Sequence, residues 1–362
     1  MGKIRVLIVD DSAFMRKVID DILSADPDIE VIDRAKNGLE CIKKVKELKP
    51  DVITLDIEMP VMDGLEALEQ LMKNHPLPVV MLSSLTKEGA DATIRALELG
   101  AFDFVAKPSG PISLDIHKVA DRILERVKAA ATAKRRNIQL RPSYSVPPQP
   151  PAIAVTKNKI LPKPFATRGI HAHKLVAIGT STGGPKALQT VLTGLPANFC
   201  APIAIVQHMP PGFTKSLAQR LDTLCQIHVV EAENGQVLEN GTAYIAPGGY
   251  HMEIVPSTDN RLQIRLTQTE PRNGHRPSVD TLFESVGELA GVEKWAVIMT
   301  GMGSDGTKGL SYIKEKGQAL SVIEDESSCV VFGMPRAAIQ AGLADKVVPL
   351  ENIADTLVRI VI

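Results

Sequence analysis

Two runs of alternating short apolar strands and amphipathic helices, parted by a proline-rich stretch with no apolar period, constrain this 362-residue chain more than any other feature. The first run reads IRVLIVD, IEVIDRA, DVITLD, PVVML and FDFVAKP as strands, with helical periodicity over 13–24 and near 39–48, 64–73 and 90–99. Strands alternating with helices at this spacing predict a doubly wound parallel sheet. From about Ala129 to His173 come KRR, SYSVPPQPPA and LPKPF, a composition that reads as an extended linker. The alternation then resumes with KLVAIGTS, PIAIVQH, TAYIAPG, LQIRL and WAVIMTG, and with helices expected over 186–192, 211–225, 277–289, 306–316 and 335–341. IHVVEA and the HMEIV/LQIRL pair have hairpin-like spacing, so this second sheet is expected to be mixed, though mostly parallel. The length suits two α/β domains, each able to bury its own core. The expected boundaries are 1–128, 129–172 and 173–362.

A formal net charge of -1 offers no basic surplus for nucleic acid, and no helix-turn-helix signature appears. MGKIRVLIVDDS runs straight into a strand, with neither an apolar leader nor a span of 18 apolar residues, so a cytoplasmic protein without membrane insertion is expected. Cys41, Cys200, Cys225 and Cys329 lie far apart without a CxxC pair, which suits reduced, buried thiols rather than disulfides or zinc.

In the first half the polar residues gather at strand ends: Asp10 and Asp11 after IRVLIV, Asp56 closing DVITLD, Ser83 and Ser84 after PVVML, and Lys107 after FDFVA. In an open parallel sheet the ligand crevice lies at the carboxyl ends of the strands, so these side chains should converge. Carboxylates crowded together call for a hard cation, and Mg²⁺, which keeps waters and takes a phosphate oxygen, is the natural candidate. One carboxylate left projecting is a nucleophile toward phosphorus. Lys107 would neutralise an incoming phosphoryl group, and a serine hydroxyl would hydrogen-bond to it. Any one of these residues alone would read as a turn former or a helix cap.

Together, VDDS, LDIEMPVMDG, SS and KP resemble the receiver domains of two-component signalling over residues 1–125. The resemblance implies a flavodoxin-like domain phosphorylated by a histidine kinase. By it, Asp56 is the phosphoacceptor, and Asp10 and Asp11 are metal-binding acids whose Mg²⁺ site the backbone carbonyl of Glu58 completes. Ser83 is the switch hydroxyl, Phe104 the rotating aromatic and Lys107 the conserved-type lysine.

The second half carries chemistry of another kind. VAIGTSTGG sets Ser181 directly after a strand, in a run of small residues where the chain can turn sharply, and matches G-x-S-x-G through Gly179, Ser181 and Gly183. PIAIVQHMPPG puts His208 past the next strand, and WAVIMTGMGSDG puts Asp305 past another. Nucleophile, base and orienting carboxylate would then meet at strand ends. The order Ser, His, Asp differs from the Ser, acid, His order of α/β-hydrolases. Alone, GTSTGG also suits a phosphate cradle or a plain turn, and a lone histidine or Asp305 suits a structural role. His251 and His275 are rival bases near glycine-rich turns, but neither directly ends a strong apolar strand.

In order, GTSTGG, QHMPPGFT, YIAPGG, HRPSVD, TGMGSDG and CVVFGMPR resemble the catalytic domain of the chemotaxis protein-glutamate methylesterases from about residue 174 onward. The resemblance implies Ser181 as nucleophile, His208 as base and Asp305 as acid. The backbone N–H of Met302 would contribute to the oxyanion hole. Thr182 would orient or cap beside the nucleophile, with a lesser claim to be the nucleophile itself. Thr180 stands where family members commonly carry alanine, a departure expected to alter packing beneath the loop and leave the chemistry intact. The implied reaction is hydrolysis of glutamate γ-methyl esters on the cytoplasmic helices of chemoreceptors, with deamidation of glutamines, and no cofactor in the esterase site. The unphosphorylated receiver is expected to pack on the active-site face. A receiver fused to a serine hydrolase of another substrate class is the alternative; an acid preceding the histidine would mark it.

Overall fold

The computed structural model describes residues 2–107, 116–135, 174–259, 261–316 and 319–361. The first unit is built from β1 (Ile4–Val9), α1 (Ala13–Ser24), β2 (Ile29–Ala35), α2 (Gly38–Leu48), β3 (Val52–Asp56), α3 (Gly64–Asn74), β4 (Val79–Ser83), α4 (Lys87–Leu99), β5 (Asp103–Ala106) and α5 (Ile116–Arg135). Its five strands form one parallel sheet in the order β2-β1-β3-β4-β5. β3 and β4 are buried along their whole length, as sheet strands covered on both faces must be. The helices start where side chains cap them. Ser12, Asn37, Asp63 and Thr86 each accept from the backbone N–H three residues on, satisfying a donor that the helix cannot.

α5 continues across residue 128, and residues 129–135 lie in this helix rather than in a linker. Alanine is the strongest helix former, and Ala130, Ala131 and Ala133 are buried in the core beneath β1 and β4. Lys134 Nζ ties the end of the helix to Pro50 O at 2.9 Å and Asp51 Oδ1 at 3.0 Å. The remainder of the proline-rich stretch, 136–173, lies outside the described residues.

The second unit runs β6 (Lys174–Thr180), α6 (Gly184–Thr193), β7 (Ile203–Gln207), α7 (Phe213–Leu224), β8 (His228–Glu231), β9 (Thr242–Ile245), β10 (His251–Pro256), β11 (Leu262–Thr267), α8 (Val279–Gly287), β12 (Glu293–Ile298), α9 (Thr307–Glu315), β13 (Ala319–Glu324), α10 (Met334–Gln340), β14 (Lys346–Val348) and α11 (Leu350–Val361). Seven strands form a sheet in the order β14-β13-β12-β6-β7-β9-β8, and every pairing in it is parallel. Among the described residues, only β10 and β11 pair as antiparallel strands, forming a separate two-stranded sheet. The hairpin-like spacing of IHVVEA therefore misleads, because β8 and β9 pair in parallel. The connection between them crosses over the β10–β11 hairpin, where Gly235 N bonds Ile264 O at 2.8 Å and Leu238 N bonds Leu262 O at 2.9 Å. A parallel neighbour needs such a crossover.

The two units pack together through α4, β5 and α5 of the first against α6, α7 and the strand-end loops of the second. Phe104 and Phe213 stack with ring centroids 4.8 Å apart, and Arg220 Nε pairs with Glu98 at 2.6 Å. One continuous hydrophobic cluster, holding Ile94, Leu97 and Phe104 with Phe213 and Leu217, runs across the contact.

Candidate active site

At the carboxyl edge of the first sheet, Asp10, Asp11 and Asp56 bring carboxylate oxygens within 4.8 Å of one another. Lys107 Nζ lies 2.9 Å from Asp10 Oδ2 and 2.7 Å from Asp56 Oδ2. The Asp10 carboxylate is fully buried, with Lys107 on its Oδ2. Three carboxylates crowded around a single lysine leave hard oxygen donors with negative charge in excess, which fits Mg²⁺. Burial pushes the Asp56 carboxyl up to about 6, against the pull of Lys107 and with the push of Asp10 and Asp11. Glu58 is exposed, and its side chain accepts from Ser84 Oγ at 3.1 Å. Ser83 is turned toward α4. Its hydroxyl donates to Gly89 O at 3.0 Å and accepts from Thr93 Oγ1 at 2.7 Å.

The second group of candidates lies at the carboxyl edge of the larger sheet. β6, β7 and β12 are three of its central strands, and Ser181, His208 and Asp305 sit in the segments that follow them. Adjacent strands bring the loops together. His208 N donates to Thr180 O at 3.2 Å, and Gln207 Nε2 donates to Ser181 O at 3.0 Å. Ser181 is 3% exposed and precedes α6, so the positive end of the helix dipole lies beside the serine, and Gly184 N donates back to Ser181 O at 2.8 Å. Gly183, at φ 80°, makes the turn into that helix. Gly301 packs so closely that a Cβ there would stand 2.9 Å from Ser181 Cβ and 2.4 Å from Met334 Sδ.

His208 Nε2 and Asp305 Oδ2 are 2.7 Å apart. Asp305 is saturated on its other directions, by Ser278 Oγ at 2.9 Å and by the N–H groups of Val279 at 2.7 Å, Asp280 at 3.0 Å and Gly306 at 3.1 Å. Burial pushes Asp305 up, but the His208 partner and the Val279 and Asp280 donors outweigh it and hold the carboxyl well below the usual range. His208 Nδ1 is buried without a hydrogen-bond partner. His251 Nδ1 is likewise buried without a partner, so the carboxylate on the other ring nitrogen is what distinguishes His208.

The rival histidines part ways. His251 Nε2 is taken up by Glu270 O at 3.2 Å, whereas His275 stacks face to face on His208. Thr180 spends its hydroxyl on Thr300 O at 3.0 Å. Further residues support the serine. Thr300 accepts from Ser181 N at 3.0 Å, and its own hydroxyl donates to Thr182 O at 2.9 Å. Its N–H in turn donates to the fully buried Glu324 at 2.7 Å. Burial pushes the Glu324 carboxyl up to about 7. HRPSVD contains Ser278 and Asp280, QHMPPGFT begins at Gln207 and TGMGSDG at Thr300, so the motifs carry these residues without marking their roles, and Glu324 lies in none of them.

Two candidates meet the first unit. Thr182 Oγ1 donates to Asp103 Oδ2 at 2.6 Å. Arg126 Nε stands 2.6 Å from the same oxygen as an ion pair outside hydrogen-bond alignment. The Nη1 of Arg126 reaches the Met302 sulfur at 3.3 Å.

Residues 176–357 match the protein family described as CheB methylesterase, and residues 6–117 match the response regulator receiver domain. The protein-glutamate methylesterase/protein-glutamine glutaminase of Halalkalibacterium halodurans is 54% identical, over 99% of this chain and 98% of its own. Its namesake in Geobacillus kaustophilus is 53% identical, over 100% of this chain and 99% of its own. The crystal structure of the Thermotoga maritima CheB methylesterase catalytic domain is similar at a TM-score of 0.50 and 45% identity, covering 51% of this chain and 97% of that one.

Proposed function

The chain belongs to the CheB methylesterase family, with a response regulator receiver domain ahead of the catalytic one, and from that premise we propose a phosphorylation-controlled serine esterase. Its substrates are glutamate γ-methyl esters on chemoreceptors, and its second activity is deamidation of glutamines. The observation that carries the reading is the 2.7 Å pair of His208 and Asp305, beside a serine at the start of an uncapped helix.

In this mechanism Ser181 attacks the side-chain carbonyl while His208 Nδ1 takes its proton, and Asp305 holds Nε2 and stabilises the imidazolium. The developing oxyanion meets the N–H of Met302, with the positive end of the α6 dipole behind it. His208 then gives that proton to the methoxy oxygen or amide nitrogen as its bond to carbon breaks, releasing methanol or ammonia, and water hydrolyses the acyl-enzyme to glutamate and free Ser181. The Nε2–carboxylate pairing is the reverse of the Nδ1–carboxylate pairing of the chymotrypsin triad. No hydrogen bond joins Ser181 to Nδ1 in this closed arrangement, and such bonds often tighten only with substrate bound.

Control runs through the receiver, taken as residues 1–128 with α5 extending beyond. A histidine kinase is the proposed donor and Asp56 the acceptor. Bound by Asp10, Asp11, Asp56 and the Glu58 carbonyl, Mg²⁺ would neutralise charge at the phosphoryl group. Lys107 would grip the phosphoryl oxygens. Ser83 would leave Gly89 for the phosphoryl group, and Phe104 would leave Phe213, loosening the cover over Ser181. A shift from almost fully closed to almost fully open needs only about 5.5 kcal/mol of differential stabilisation. A cytoplasmic site of action belongs to this reading; no helix among the described residues is long and apolar enough to cross a membrane.

Methanol release from methylated receptor membranes tests the proposal. A phosphodonor should raise the rate and Ser181→Ala should abolish it. Release that survives Ser181→Ala would refute the nucleophile, and no release from the parent protein would refute the substrate class.

A further inference from the structure

His275 reaches the site on a built turn. Arg272 and His275 close it with reciprocal backbone hydrogen bonds of 2.9 Å, and its central residues, Asn273 and Gly274, have φ of 51° and 79°. Positive φ at both central positions is the geometry that Asn-Gly favours. Arg272 also pairs with Glu284, which pins the turn to α8. The turn lays the His275 ring on His208 with centroids 3.8 Å apart and planes 7° from parallel. The chain then continues to Ser278, Val279 and Asp280, all three of which donate to Asp305. The segment 272–280 therefore grips both the base and the acid.

This grip answers a mechanical need. His208 is held in its ring plane by one side-chain hydrogen bond, to Asp305, and its other nitrogen is unpartnered. One bond permits the imidazole to swing, and a swing of an ångström can cost about two orders of magnitude in rate. A second ring stacked on the first removes that freedom and gives the imidazolium an aromatic face as it forms. Burial, then the charge of His208, hold His275 down at about 4, so it adds no competing cation at neutral pH.

We propose that His275 is a positioning residue for His208, fixing the imidazole plane by stacking so that Nε2 stays on Asp305 while Nδ1 is kept for the nucleophile's proton. The inference rests on the reading of Ser181, His208 and Asp305 as a triad. It assigns His275 an aromatic role with no proton transfer of its own, which distinguishes it from a rival base.

The test uses the full-length chain, methylated receptor membranes, Mg²⁺ and a saturating small phosphodonor. His275→Ala should lower kcat on the order of 10- to 100-fold with KM changed by no more than about twofold, the signature of a lost transition-state arrangement. His275→Phe, which keeps a flat ring and cannot titrate, should return kcat to within about threefold of the parent. Parent-like kcat in the alanine variant would overturn the proposal, as would a phenylalanine variant no better than alanine. Should His275→Ala fail to fold, His275→Phe against His275→Asn poses the same question, with the ring retaining the rate and the amide losing it. Methanol release by Ser181→Ala would sink the triad reading itself, whatever the His275 variants do.

Discussion

The carboxylate of Asp103, at the start of β5, accepts a hydrogen bond from Thr182 Oγ1 at 2.6 Å, one residue from Ser181. Its partner Arg126 reaches past it to the Met302 sulfur. One buried ion pair of the receiver thus touches both residues expected to flank the reacting carbonyl.

Loss of that contact should open the enzyme. A hydrogen bond to a charged group contributes about 1.5–3 kcal/mol, so Asp103→Ala should shift the closed–open balance on the order of 10- to 100-fold. Basal methanol release without phosphodonor should rise accordingly, up to the stimulated rate of the parent. Phe104→Ala should act in the same direction by removing the stack on Phe213. A basal rate unchanged in both variants would show that this face does not restrain the esterase.

Asp305→Asn should leave the fold intact and lower kcat by about 10⁴-fold, because an amide no longer selects the Nε2–H tautomer of His208 nor stabilises its cation. Ser278→Ala, which removes one of several donors to Asp305, should cost far less. Comparison of the two by single-turnover methanol release separates the charge from its support.

Glu324 predicts a pH effect on stability. Its folded pKa of about 7 lies above the unfolded value of about 4.3, so the folded state binds the extra proton. Its contribution to stability is present below pH 4.3 and is lost as pH rises through 7. Glu324→Gln keeps an acceptor for Thr300 N–H and has no charge to bury. The melting temperature of the variant should exceed that of the parent by a few degrees at pH 8, on the order of 2–4 °C per kcal/mol, and the gain should vanish near pH 4. Equal pH slopes for parent and variant would contradict it.

Chelation should separate the two halves. Removing divalent cations should abolish the rise in methanol release that a phosphodonor produces, because Asp10, Asp11 and Asp56 would be left crowded with Lys107 alone to offset three charges. The basal rate should not change if the esterase site needs no metal. A basal rate that falls with chelation would show a second metal requirement.

Much of this was legible before any fold was known. Alternating apolar strands and helices place every strand-end residue at one edge of a sheet, and that is why Asp10, Asp56 and Lys107 converge and why His208 meets Asp305. The same periodicity misread β8, since apolar runs give no direction of pairing, and it named no helix over α5, whose buried alanines carry it past the expected boundary at 128.

What the sequence by itself determined was therefore the α/β class and the sets of polar residues that gather at the two sheet edges. Tertiary structure alone decided which imidazole nitrogen faces Asp305, that His275 lies on His208, and that Asp103 reaches Thr182. Local propensity and pattern act over a few residues, whereas these contacts join segments tens of residues apart, where only the packing of whole elements sets which side chains meet.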